Sequence, residues 1–195
     1  DRAIARSDDD AIRRRLVILR AELANFGLGL ARTHVRINAT QVHNAIRREV
    51  GLTADPDDPR FRVTYLGKLN ELLAAVEPVR INFGSVMAER MSVRQLFMVV
   101  AQMLKYGDRT TPVRFLVAET ESAFTLLTAL YFARLYDCAD KVDISPLFET
   151  ERALEAGSRL VEQLLDNPHY CAYVRGRGRL CIQTGYSDAG RYLGQ

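Results

Sequence analysis

The segment Val142-Asp143-Ile144-Ser145-Pro146-Leu147-Phe148-Glu149-Thr150 is a short apolar run that stops at an acid. A second run repeats the pattern: Leu180-Cys181-Ile182-Gln183-Thr184-Gly185-Tyr186-Ser187-Asp188. Each reads as a buried strand with a carboxylate where the strand ends. Val113 to Val117, behind Pro112, is a third such run, and Leu30 to Asn38 a fourth. Helical patterns fill the intervals, at about Ser7 to Asn25, Thr40 to Val50, Phe61 to Val76, Ser92 to Tyr106, Ser122 to Tyr136, Thr150 to Leu165 and His169 to Val174. Gly27 and Gly51 supply helix stops, and Asn167-Pro168 a helix start. Repeated βα units with apolar strands predict an α/β fold, helix-rich, with about four parallel strands. Two architectures remain open: a doubly wound sheet, or part of a (β/α)8 TIM-type barrel of which four strands are half. Both put a site at the C-terminal strand ends. Arg36, Glu119, Glu149 and Asp188 all fall there.

The composition narrows the partners. Residues 1–195 are long enough for one substantial core, and 48% hydrophobic content excludes a disordered chain. Residues 53–60 carry two prolines and three aspartates, and are expected to form an exposed loop. Net charge is only +3, without a dense basic block, so no nucleic-acid partner is expected. No apolar run has the length of a membrane span, and the start shows no signal-peptide pattern. Cys138, Cys171 and Cys181 lack CxxC spacing and read as reduced thiols of a cytoplasmic protein.

Two carboxylates at successive strand ends can share a hard divalent cation, which takes oxygen ligands together with water and substrate. On spacing alone, both acids serve equally as caps of the following helices, and Arg36 as a surface arginine. The residues around them carry a more specific signal. Pro146-Leu147-Phe148-Glu149-Thr150 followed by Gly185-Tyr186-Ser187-Asp188 resembles phosphoenolpyruvate carboxylase. Phe26-Gly27-Leu28-Gly29-Leu30 with Val35-Arg36 upstream is similar to another segment of that family. The likeness covers most of the chain and is weakest over Thr53 to Tyr106.

The resemblance implies part of a TIM-type barrel and carboxylation of phosphoenolpyruvate by bicarbonate, giving oxaloacetate and phosphate. It makes Glu149 and Asp188 the ligands of Mg²⁺ or Mn²⁺. It makes Arg36 the contact to the substrate phosphate, a task suited to a planar guanidinium. Arg191 falls where the family has lysine and would add positive charge. The family is tetrameric, so a homo-oligomer is implied.

The chain also departs from the family. Gln-Glu-Ser after the arginine is here Ile37-Asn38-Ala39, and Ala189-Gly190-Arg191-Tyr192 follows the second acid. The family's essential upstream histidine and its downstream His-Gly-Arg-Gly-Gly loop have no counterpart. These absences predict a single partial domain, a central barrel fragment inactive by itself that self-associates through its open sheet edges or depends on its missing parts. The rival readings are a non-catalytic metal-binding module serving assembly, and a different metal-assisted barrel enzyme acting on enol or keto acids. The remaining candidates read as structural: His34, His43 and His169 as helix or packing residues. Arg175, Arg177 and Arg179, interleaved with glycine, read as a solvated turn or, alternatively, a phosphate loop.

Overall fold

A computed structural model describes residues 1–26, 32–107 and 111–185. In chain order the described elements are α1 (Arg2–Ala5), α2 (Asp10–Phe26), β1 (His34–Asn38), α3 (Ala39–Val50), α4 (Arg62–Ala75), α5 (Phe83–Ala88) and α6 (Ser92–Tyr106). There follow β2 (Val113–Ala118), α7 (Ala123–Leu135), β3 (Val142–Phe148), α8 (Glu151–Asp166), α9 (Pro168–Arg177) and β4 (Gln183–Thr184). The four strands form one parallel sheet in the order β1-β2-β3-β4. Sequential order leaves no reversal of strand direction of travel among the described strands, unlike a doubly wound sheet.

The strands alternate. Ile37, Val113, Phe115, Val117, Val142, Ile144 and Phe148 join the hydrophobic core with the helices. Arg36, Arg114, Asp143 and Ser145 take the intervening positions, which a period of two sends to the opposite face. One sheet face is therefore covered by helices, and the other carries these polar groups beside the buried Leu116 and Leu147. At the centre of the core, α7 is buried on nearly every side, from Ala123 to Ala133. It packs between α3 and α8 and against β3. Phe97 of α6 stacks on Phe115 of β2 with ring centroids 4.1 Å apart.

Local chemistry explains the boundaries. Asn38 and Gln41 form a reciprocal capping box that starts α3, and Gly51 ends it in the left-handed conformation. Asn167 starts α9 by accepting from the N–H groups of His169 and Tyr170.

Several sequence expectations change. Among the described residues the first strand begins at His34, where pairing with Arg114 of β2 starts; Leu30 and Ala31, where the expected strand opens, lie outside the described residues. The short α5 is additional, and its signal was the capping pair Asn82 and Ser85. The last strand, expected from the run that opens at Leu180, shrinks to Gln183–Thr184. The reason is Tyr173 of α9. Its hydroxyl donates to Val142 O and accepts from Ile144 N–H, both at 2.8 Å, and so occupies the edge that a longer β4 would pair with. The expected basic turn is absent as well. Arg175 and Arg177 are helical, and Arg177 and Arg179 both bind the buried Asp143. Residues 53–60 have no helix or strand, but they are not uniformly exposed: Pro56 is buried and Asp57 and Asp58 are half-buried.

Candidate active site

Glu149 is placed by four chain segments at once. It follows β3 directly and precedes Thr150, the residue that caps α8 through the Ala153 N–H. Its side chain is 9% exposed. Nη2 of Arg36, from β1, stands 3.1 Å from each carboxylate oxygen. That side chain reaches across β2, which lies between β1 and β3.

Where β2 ends, Glu119 adopts φ 55°, a left-handed conformation that is uncommon for a residue with a Cβ. This directs its backbone N–H to Glu149 Oε1 at 3.3 Å. From the far side, Gly185 N–H donates to Phe148 O at 2.7 Å. A Cβ on Gly185 would fall 2.4 Å from the Cβ of Glu149, so only glycine allows this approach.

Beside this carboxylate lies a polar cleft of about 320 Å³, bounded by the first turns of α3, α7 and α8 and by the loop before α4. Its walls include His43, Asp57, Glu119, Glu121, Thr150 and Arg152. Thr150 donates to Glu121 at 2.7 Å, and Arg152 lies 3.4 Å from Glu121 and 3.8 Å from Asp57. Ser122 donates to Asp57 at 2.9 Å. Burial, the largest cause, raises the Asp57 carboxyl above its usual range, against the Ser122 hydrogen bond.

His43 Nε2 lies 2.8 Å from Thr125 Oγ1 and its ring meets Phe124 edge-on. Burial pushes its pKa down to about 4, with Asp55 opposing and Arg47 adding to the shift. His43 is thus a neutral packing residue whose ring borders the cleft. His169 sits in the first turn of α9 with Nδ1 3.3 Å from Arg134, and His34 lies on β1.

Of the four residues expected to form the site, the fold brings Arg36 and Glu149 into contact. Asp188 and Arg191 lie outside the described residues. Sequence reading did not anticipate the Asp57–Arg152–Glu121 network. Position was the one available signal for two of its residues, since Glu121 lies just beyond β2 and Arg152 at the start of α8; Asp57 sits within the loop before α4.

Among the described residues, no three His, Cys, Asp or Glu side chains converge as a metal cage. A cage is not required for Mg²⁺ or Mn²⁺, which are held by one or two carboxylates with water and substrate oxygens. The enclosed, rigidly held carboxylate of Glu149 fits that donor chemistry.

The family model for phosphoenolpyruvate carboxylase matches residues 2–195. The chain belongs to the phosphoenolpyruvate carboxylase family. The phosphoenolpyruvate carboxylase of Xanthomonas oryzae pv. oryzae is 29% identical over 191 residues, covering 93% of this chain and 20% of that protein. That of Corynebacterium diphtheriae is 23% identical over 205 residues, covering 98% and 22% respectively. A shorter match to the Thermus thermophilus enzyme reaches 40% over 52 residues, 27% of this chain and 6% of that protein. The chain thus spans about a fifth of the length of those phosphoenolpyruvate carboxylases that match most of it.

Proposed function

We propose that this chain is part of the (β/α)8 barrel of a phosphoenolpyruvate carboxylase, a cytoplasmic carboxy-lyase. The reaction is carboxylation of phosphoenolpyruvate by bicarbonate to oxaloacetate and phosphate. The observation that carries this reading is the meeting of Arg36 and Glu149 at the C-terminal strand ends, where (β/α)8 enzymes place their chemistry. Sequential parallel strands with helices on one face support the barrel.

In this reading Glu149, together with Asp188, holds Mg²⁺ or Mn²⁺. When bound, such a cation acts as a Lewis acid toward developing oxyanion charge. Arg36 binds the phosphate of the substrate, and its exposed guanidinium has room to do so; Arg191 adds positive charge. Glu119 N–H and the close approach of Gly185 hold the Glu149 carboxylate in one orientation, so little reorganisation accompanies the reaction. Residues 1–195 alone are assigned no turnover, and the complete enzyme is a homo-oligomer.

The test is metal-dependent oxaloacetate formation by the complete enzyme. Glu149→Gln is expected to lower the rate by at least about 100-fold. Wild-type turnover in that variant would remove Glu149 from the site. An intact protein that neither forms oxaloacetate nor binds Mn²⁺ would point to an assembly module.

A further inference from the structure

Two roles meet on one carboxylate. Arg36 touches Glu149 through Nη2 alone, at 3.1 Å from both oxygens. The partners are unequal in freedom. The Glu149 side chain is 9% exposed and fixed by the Glu119 N–H and by Gly185, whereas the Arg36 side chain is 59% exposed. A divalent cation and a guanidinium at the same carboxylate repel each other, and the repulsion grows as the site excludes water. The anchored carboxylate cannot follow either one. The exposed arginine is the group that gives way.

We infer that Arg36 and the divalent cation exchange places on Glu149, so that cation binding releases the guanidinium to the phosphate group of the substrate. This inference rests on the assignment of Glu149 as a metal ligand. It makes the Glu149 carboxylate the coupling point between two ligands. Cation and phosphate then tighten each other's binding, and by linkage the factor is the same in both directions. The contact also keeps the Arg36 charge paired until the cation is present.

The experiment is Mn²⁺ titration of the complete enzyme, read from the paramagnetic resonance signal of free Mn²⁺ without turnover. Arg36→Met is expected to bind Mn²⁺ roughly tenfold more tightly than wild type, and inorganic phosphate to tighten wild-type Mn²⁺ binding roughly fivefold. In Arg36→Met the phosphate effect should fall below about twofold. In a Glu149→Gln background, Arg36→Met should no longer change Mn²⁺ affinity, as a double-mutant cycle requires.

Mn²⁺ binding that depends on Glu149 but is unaltered or weakened by Arg36→Met would overturn the exchange while leaving the ligand assignment standing. So would a full phosphate effect in Arg36→Met. Mn²⁺ affinity indifferent to Glu149→Gln would defeat the ligand assignment, and the exchange with it. Exposure of Arg36 argues against misfolding in the variant, and an unchanged circular-dichroism spectrum checks this.

Discussion

The strand β3 carries an arginine-bound acid at each end, and the two differ in how completely they are satisfied. At its start, Asp143 is 4% exposed and meets two arginines at 2.7 Å, Arg177 from α9 and Arg179 beyond it. Arg177 is itself 10% exposed and also donates to Asp140 O. At its end, Glu149 meets one arginine at 3.1 Å, and that arginine is mostly exposed. The first acid is enclosed with its counter-charges and fastens α9 to the sheet. The second is held rigidly by backbone but only lightly by charge, beside an open cleft. The same residue pairing is thus a closed fastening at one end and, in the proposed reading, an exchangeable contact at the other. The difference follows the (β/α) rule that stability belongs to the N-terminal face and reactivity to the C-terminal face.

The contrast can be broken most directly at the closed end. Asp143→Ala leaves Arg177 buried without its partner and should destabilise the fold by about 3–5 kcal/mol in chemical denaturation. A loss under about 1 kcal/mol would erase the distinction between the two ends.

At the open end, His43 gives the next effect. Its folded pKa of about 4 lies below the ordinary 6.5, so the folded state binds fewer protons than the unfolded chain. The contribution is complete above about pH 6.5 and is lost as pH falls through about 4, amounting to about 3 kcal/mol. Denaturation midpoints recorded across that window should show the slope, and His43→Gln should remove it.

Gly185→Ala sharpens the comparison further, because its Cβ would meet Glu149 at 2.4 Å. The expected cost is about 1–3 kcal/mol, with weakened Mn²⁺ binding in the same variant. Unchanged melting and unchanged Mn²⁺ affinity would show that the approach of β4 does not position the carboxylate.

The smallest expected effect is at Glu149 itself. Glu149→Gln should change stability by less than about 1 kcal/mol, since its arginine partner is exposed. Titration calorimetry should nevertheless show Mn²⁺ binding strongly weakened though still measurable. A large destabilisation would make Glu149 another fastening like Asp143.

Much of this arrangement was legible in the residues. Apolar runs of β length, the Asn167-Pro168 start and the Gly51 stop marked most elements within a few positions. The acid after Phe148 marked the end of β3, whereas the arginine after Val35 lies in the middle of β1 and reaches that end only through its side chain. The Arg-Gly-Arg-Gly-Arg segment was not legible, because an interleaved basic string looks solvated until Asp143 is brought against it. Nor was the short β4, since the competitor for its hydrogen bonds is a tyrosine hydroxyl on another helix. Loop 53–60 looked uniformly exposed because its prolines and aspartates are turn formers, while the contact of Asp57 with Ser122 spans 65 positions.

By itself, the sequence determined the α/β class, the family and the two residues now found in contact, because periodicity, caps and motif strings are local properties of the chain. Tertiary structure decided which charges meet. Arg36 and Glu149 lie 113 positions apart and Asp143 and Arg177 lie 34 apart, and only parallel strand order and helix docking set those distances. It also decided which of the two acids on β3 is closed and which is open, since burial depends on what packs from elsewhere.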